Sequence, residues 1–517
     1  MTVRIHGAAT ESVGGRADEA GMDERYDRGG LNTRSKLHEL FQTTSPFPDH
    51  LADQNGRMPD LSLAVDLATL KTRPGRAIEA ALRDALRSAG LPVGERLPST
   101  RALAAELGVA RSTVVAAYEQ LVAEGRLVAE RGAGTRVAAR PELPAIDPVP
   151  ANRLHRLRVD LVPGEPDRSS FPRAAWQRCV REVFRTSPDD LFGYGDAGGL
   201  IRLREVLAVY LARTRRVDAE PSRISIVGGM ASGLAHLGRM FGGMGIDALA
   251  VEDPGFPFHR NVLRRVGMAT LPVPVDGEGV VVAALERTGA RVVLVTPAHQ
   301  YPMGVVLSPG RRAALIGWAH RCNGWIIEDD YDGEFRYDRQ PIGALQGLDP
   351  SRVVYAGTSS KMLAAAVRVA WMVVPPALVG PLAEIRGRDP DVSGLEQATL
   401  AELIVSGGLD RHVRVMRGVY RRRRDLLVEA FSESAAKIEL TGISAGLHLT
   451  ALLPPGIDEH AVVARARDAA FALWGLAQHW TGAPKRGGLV LGFSRSTTPQ
   501  FPDAVAQLTA LLRQSSD

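Results

Sequence analysis

Cysteine is nearly absent from this chain of 517 residues: Cys179 and Cys322 are the only two, far apart in sequence. They are too few for a disulfide framework and suit a reduced, cytoplasmic setting. No apolar run reaches the roughly 18 residues that suggest a membrane-spanning helix, so no membrane span is expected. The opening Met1 to Gly7 lacks the apolar core of a signal peptide. An excess of one charge is also missing. The 63 basic and 58 acidic side chains leave +5, spread along the chain, which permits nucleic-acid binding without demanding it. Lysine is the most informative shortage. Only five of the 63 basic residues are Lys, and Lys361 stands alone between Lys71 and Lys437. A chain that uses Arg wherever a positive charge suffices has kept one amine for a task a guanidinium cannot perform. Condensing with an aldehyde is such a task, because it needs an amine that can lose its proton.

The residues around Lys361 suit a particular aldehyde, pyridoxal phosphate. Trp325-Ile326-Ile327 reads as a buried strand that turns acidic at Glu328-Asp329-Asp330 before Tyr331. Val353-Val354-Tyr355 reads as a second, leading through Thr358, Ser359 and Ser360 to Lys361, with Arg368 seven residues on. A pyridine nitrogen acts as an electron sink only when protonated, so it calls for a carboxylate; a phenolic oxygen wants a donor, and a phosphate wants Arg and hydroxyls. On a strand, Asp329 and Tyr331 at i and i+2 project from one face roughly 6.6 Å apart, as two edges of one ring require. Thr358, Ser360 and Arg368 then serve the phosphate. Taken singly, each residue is ordinary, an Asp at a strand end being usually a turn residue. The joint pattern carries the reading.

Upstream, residues 1–60 are rich in Gly, Asp, Arg and Ser and read as a disordered tail. Met22 and Met58 leave open a later start. Residues 61–138 change to helix: Ile78, Ala81, Leu82 and Leu86 recur at helical spacing. Ser99 is a plausible N-cap for a short helix ending at Gly108, and a second helix carries Val114, Tyr118 and Leu121 at i, i+4 and i+7. Two apolar runs then bracket Arg131 to Gly134 as a hairpin of wing size. A helix, a Gly-bearing turn, a helix and a wing make a winged helix-turn-helix. Its donors at the helix starts are Arg101, Arg111, Ser112 and Thr113, and its wing offers Arg131, Gly132, Gly134 and Thr135 to a DNA groove. Residues 139–157, with Pro141, Pro144, Pro148 and Pro150, form a semi-rigid linker.

From 158 to 517 apolar runs alternate with helical segments, which implies βαβ units, a mostly parallel sheet and ligands at the carboxyl ends of strands. Gly229 and Met230 open a helix after one such strand, so their amides could cradle a phosphate. Gly446 to Leu449 and Leu489 to Phe493 read as strands of a small C-terminal subdomain. Arg421 to Arg424 wraps around a helix and reads as a solvated surface.

The wording EDDYDGEFRYDRQP, followed by VVYAGTSSKMLAAAVR, resembles the MocR group of GntR-type transcription regulators. PSTRALAAELGVARSTVVAAYEQLVAEGRL with RGAGTRV resembles the GntR winged helix. The resemblance implies an α/β fold: an N-terminal winged helix-turn-helix plus a fold type I aminotransferase-like domain. It also implies roles. Lys361 forms the internal aldimine, Asp329 pairs the ring nitrogen, Tyr331 meets the phenolic oxygen with Tyr301 beside it, Phe256 stacks on the ring and Arg368 holds the phosphate. Tyr194 would reach the phosphate of a neighbouring subunit in a homodimer. An Arg that binds an effector carboxylate would be Arg486 or Arg495, and spacing leaves both open. Ser359, Ala365, Ala366 and Ala370 depart from the Phe, Pro, Gly and Gly usual in the group, and Ala110 from its Ser or Thr.

The expectation is a cytoplasmic, homodimeric regulator of double-stranded DNA. It would sense an amino compound or pyridoxal phosphate itself and would need no metal. The alternatives are an active aminotransferase with an accessory helical domain, or the same fold kept as a scaffold without cofactor.

Overall fold

The computed structural model describes residues 2–4, 62–64, 67–88, 92–130, 134–139, 159–338, 342–387, 390–432, 438–495 and 501–513. The chain divides into two units, Met1–Ala151 and Asn152–Asp517. The linker expected at 139–157 lies outside the described residues except for residue 139, as do Arg131 and Gly132 of the expected wing. Of the tail expected to be disordered, Thr2–Arg4 is instead a strand, antiparallel to Ser62–Ala64. The remainder of residues 1–60 lies outside the described residues.

The first unit holds helices α1 (Leu67–Thr72), α2 (Pro74–Ser88), α3 (Thr100–Leu107) and α4 (Arg111–Ala123). A hairpin of β1 (Leu127–Glu130) and β2 (Gly134–Val137) follows, in the register Leu127↔Val137 to Glu130↔Gly134. Ile78 and Leu82 of α2, Leu103 of α3, and Val114 and Leu121 of α4 meet in one fully buried core. The Ser99 side chain caps α3 by accepting from the Ala102 amide at 3.1 Å, and Gly108 ends the helix at a φ of 65° that only glycine adopts freely. Ala110 stands at the start of α4 without a side-chain cap. The Tyr118 hydroxyl ties α4 to the segment before α3 by donating to the Pro98 carbonyl at 2.9 Å.

The second unit is built on an eight-stranded sheet. Its strands are β3 (Ile224–Val227), β4 (Ala248–Asp253), β5 (Ala269–Asp276), β6 (Gly279–Val280), β7 (Val292–Val295), β8 (Trp325–Asp330), β9 (Val353–Thr358) and β10 (Ala370–Val373). They lie in the order β3-β10-β9-β8-β7-β4-β5-β6. The run from β9 to β5 is parallel, while β10 is antiparallel to both of its neighbours. β7, β8 and β9 are buried along their whole length, as strands covered by helices on both faces must be. A smaller antiparallel sheet holds Glu439–Thr441, His448–Leu452, Gly488–Gly492 and Trp474–Gly475.

One expectation needs correcting here. The four-Arg run lies on the helix Gly408–Ser432, but Arg423 is buried and not part of a solvated surface. Its guanidinium donates to Asp167 at 2.6 Å and to the Ser494 carbonyl at 2.8 Å. A helix turns through all directions within four residues, so one Arg of four had to face inward.

Candidate cofactor site and nucleic-acid face

The parallel strands end together, and β4, β7, β8 and β9 deliver Glu252, Thr296, Asp329 and Thr358 to one rim. Below it lies a cavity of about 400 Å³, lined also by Phe256, Tyr301, Tyr331, Ser360, Lys361, Arg368, Gly229, Met230 and Arg495. Ten of the eleven residues expected to bind cofactor therefore share one space. The exception is Tyr194, which is 90% exposed and borders a separate surface hollow. Of the two effector candidates, Arg495 lines the cavity. Arg486 does not: it is exposed and paired with Glu439 at 2.6 Å, so of the two alternatives left open it is the one that does not reach the cavity.

The Lys361 amine donates to the Gly164 carbonyl. Burial pulls it below the usual lysine range, opposed by the carboxylates of Asp329, Asp332 and Glu165. A lowered lysine is the more nucleophilic one near neutral pH. Asp329 is buried on β8, and burial pushes its carboxyl up to about 7 against the pull of Lys361, with Asp330, Asp332 and Glu252 adding to the rise. β8 ends at Asp330. Tyr331 is therefore one residue beyond the strand rather than on it, but it still lines the cavity. Its hydroxyl donates to the His299 carbonyl at 3.0 Å and lies 3.1 Å from His299 Nδ1.

Arg368 follows a short 3-10 turn and adopts a left-handed φ of 53°. Among the described residues no carboxylate pairs with it. A Cβ at Gly229 would fall 2.9 Å from Arg368 Nη2, so this glycine makes room for the guanidinium at the start of the helix α5 (Met230–Gly243). An unpaired guanidinium beside the uncapped amides of a helix start is an anion cradle. The Thr358 and Ser360 hydroxyls complete it. Phe256 stands edge-on to Tyr301 with centroids 5.2 Å apart, while the Tyr301 hydroxyl lies 3.1 Å from His479 Nε2.

Sequence reasoning missed His259, on the helix α6 (Pro257–Arg265), whose Nε2 lies 3.5 Å from Asp329 Oδ2. Burial first, then the charges of Lys361 and Arg260, pull it down to about 4, so it is neutral at pH 7. The signal was available, since His259 stands three residues after Phe256 on one helical face. Glu252 was also undervalued. It accepts from the Thr296 amide and hydroxyl at 3.2 and 2.6 Å and from Gln300 at 3.3 Å, tying the Tyr301 loop to β4. His299 is held by Asp332 at 2.9 Å.

The raised Asp329 has a consequence for stability. The folded protein keeps that proton up to about pH 7, whereas the unfolded chain loses it near the ordinary value of about 3.9. Between these limits the folded state binds more protons, so this group lowers stability as pH rises. Stripped of cofactor, Asp329→Asn should therefore match the wild type near pH 4 and unfold at a higher urea midpoint at pH 8. The same variant should retain pyridoxal phosphate less well on desalting. A midpoint difference that does not change with pH would refute the assignment.

In the first unit Arg101, Arg111 and Ser112 are exposed and Thr113 is half-buried. Arg83, Arg126 and Arg136 are used internally, against Glu124 and Glu130. Arg101 and Arg111 have no carboxylate partner among the described residues, and Arg111 reaches only the Thr100 hydroxyl at 3.4 Å. In the hairpin, Thr135 accepts from the Leu97 amide at 2.8 Å. Gly134, at a φ of 91°, lies so close to Arg96 that a Cβ would fall 2.9 Å from its Nε. The glycine thus leaves room for a further cation beside the turn end of the wing.

Comparison with known proteins agrees with this geometry. Residues 162–472 match the profile of aminotransferase class I and II, and residues 74–137 that of the bacterial regulatory proteins of the gntR family. The pyridoxine biosynthesis transcriptional regulator PdxR of Corynebacterium glutamicum is 33% identical over 446 residues, covering 84% of this chain and 95% of that protein. The probable rhizopine catabolism regulatory protein MocR of Rhizobium meliloti is 32% identical over 438 residues, covering 80% and 88%. Among solved structures, kynurenine aminotransferase of Pyrococcus horikoshii superposes with a TM-score of 0.63 at 24% identity, over 69% of this chain and 91% of that one.

Proposed function

Since the chain belongs to the MocR-type transcription regulators, in which a gntR helix-turn-helix precedes an aminotransferase-like domain that takes pyridoxal phosphate, we propose that it senses its signal at Lys361. The signal would be an amino compound or pyridoxal phosphate itself. Bound there, the cofactor supplies an electrophilic carbon that an amine can attack. Lys361 offers the amine that tethers it, and Asp329 holds a proton at the ring nitrogen while His259 stays neutral beside it. Tyr331 would turn its hydroxyl from the His299 carbonyl toward the phenolic oxygen, Phe256 would lie against the ring, and Arg368, Thr358, Ser360 and the Gly229 and Met230 amides would take the phosphate. The observation that carries this reading is the unpaired Arg368 guanidinium seated on Gly229, in the same cavity as the only lysine between residues 71 and 437.

Ligand in that cavity changes DNA affinity only if it binds the two conformations of the protein unequally. The exposed Phe184, Phe192 and Tyr194 favour a homodimer, since Phe184 and Phe192 pair at 5.9 Å and leave an apolar patch open. Among the described residues no helix is long and apolar enough to cross a membrane.

The test is retardation of the protein's own upstream DNA with and without pyridoxal phosphate. A protein that binds in neither condition defeats the proposal. Arg111→Ala should weaken that binding and reduce the slope of log affinity against log salt by about 1, as loss of one phosphate contact does. An unchanged slope would place Arg111 off the DNA. Turnover as an aminotransferase is the second reading, favoured by Lys361, Asp329 and Tyr331 sharing one cavity. Sustained conversion of an amino acid and a keto acid without DNA binding would establish it.

A further inference from the structure

In the cavity that holds Lys361, the cations are already committed. Arg368 faces the phosphate cradle, and Lys361 is the tethering amine. Arg260 also lines the cavity, but its Nη1 donates to the Gly255 and His479 carbonyls at 3.3 and 3.0 Å. Its Nη2 donates to the Gln478 and Trp480 carbonyls at 3.3 and 3.4 Å. The terminal nitrogens of its fork are therefore spent on backbone.

That leaves Arg495, whose charge is met from within the chain through its Nε. Its Nε lies 2.9 Å from Asp160 Oδ2 and 3.5 Å from Glu165 Oε2. The arrangement is built into the backbone. The Ser494 hydroxyl donates to the Glu165 carbonyl at 2.5 Å, and the Gly492 amide donates to the Leu161 carbonyl at 2.7 Å. The segments carrying Asp160, Glu165 and Arg495 are thus stitched together. Glu165 lines the cavity itself, next to Gly164, whose carbonyl meets the Lys361 amine. A ligand carboxylate placed beside the reacting nitrogen would have to displace a carboxylate already present or lie against one. Two carboxylates already face this one guanidinium, so a third would meet net repulsion, screened only in part because the three side chains are 23 to 33% exposed. The rest of the wall is apolar and aromatic, including Phe258, Leu447 and Trp474.

We propose that the effector is a primary amine with an apolar or aromatic body and no carboxylate next to its nitrogen, rather than an α-amino acid. The proposal rests on the cofactor reading above and narrows it to a ligand class. Its motivating feature is the pre-paired Arg495. The test uses the full-length holoprotein and two matched pairs, phenethylamine against L-phenylalanine and isoamylamine against L-leucine. Binding is read by the shift of the visible cofactor band and by the change in Tm. Each amine should half-saturate at a concentration at least about tenfold below its parent amino acid. Glu165→Gln, which removes one of the two carboxylates on Arg495, should narrow that ratio by improving amino-acid binding. Amino acids that bind as well as the amines, or no response to either series, overturn the proposal while the cofactor band stays intact. A holoprotein that never shows the band, and matches Lys361→Ala in this, defeats the cofactor reading and the proposal with it.

Discussion

Lys361→Ala, purified and incubated with pyridoxal phosphate, should show none of the visible absorbance of the lysine-bound cofactor and should lose the cofactor on desalting. Lys361→Arg should do the same, although it keeps the positive charge. The pair of variants separates two roles. If Lys361 acted as a charge for Asp329, Arg would serve, since a guanidinium pairs a carboxylate at least as well. A guanidinium does not give up its proton at working pH and so cannot condense with an aldehyde, whereas an amine pulled below its ordinary range by burial can. Phosphate retention through Arg368 would persist as weak, reversible binding, visible as thermal stabilisation at millimolar cofactor and absent after dialysis. DNA binding by the first unit should survive both substitutions while losing its response to added cofactor. A visible band that persists in Lys361→Ala would assign the tether elsewhere. Only Lys36, Lys71, Lys437 and Lys485 remain to supply it, and Lys485, the one of them described in this unit, does not line the cavity.

Much of this site was legible because its chemistry is local in sequence. Asp329, Tyr331, Thr358, Ser360, Lys361 and Arg368 sit at the ends of two β-branched runs that could only be buried strands. What long-range packing decides was not legible. Arg486 and Arg495 are nine residues apart in the same subdomain, and only the register of the sheet around Gly488–Gly492 puts one in the cavity and the other in solvent. β5 contains Pro272 and Pro274, which speak against a strand. It is tolerated because its pairing with β6 is confined to Val275 and Asp276, leaving that edge open where the prolines lack their N–H groups. The departures at Ser359, Ala365, Ala366 and Ala370 put the loop geometry in question, and the fold shows how this sequence closes it. The Ser359 hydroxyl, fully buried, donates to the Val369 carbonyl at 2.7 Å across the loop. Arg368 takes the left-handed conformation between them. His259 carries only a weak local signal, its spacing from Phe256, and its 3.5 Å distance to Asp329 comes from packing between a helix and a strand far apart in sequence.

The second large effect lies behind the site. Arg215→Ala should cost about 3–5 kcal/mol of unfolding free energy, the range for removing one partner of a buried ion pair. Arg215 and Asp330 are each 1% exposed. The guanidinium meets the carboxylate twice, Nε to Oδ2 at 2.6 Å and Nη2 to Oδ1 at 2.9 Å, while Nη1 donates to the Gly333 carbonyl at 3.2 Å. The Tyr355 hydroxyl adds a third bond to Asp330 at 2.8 Å. Without Arg215, a buried carboxylate keeps one phenol and loses its charge partner. The surroundings leave little room to adapt, because even a Cβ at Gly333 would fall 2.2 Å from Asp330 Oδ1 and 2.4 Å from Arg215 Nη2. Asp330 stands between Asp329 and Tyr331, so the pair also fixes the backbone that aims both groups at the cofactor. Arg215→Ala should therefore loosen cofactor retention as well as lower the urea midpoint. Arg215→Met with Asp330→Leu should recover most of the stability, because replacing both charges removes the stranded one. It should recover less of the cofactor retention, since Asp330 no longer anchors the turn into Tyr331. A single-variant cost below about 1 kcal/mol would mean that water or a neighbouring cation takes the place of Arg215, because an exposed pair is worth no more than that.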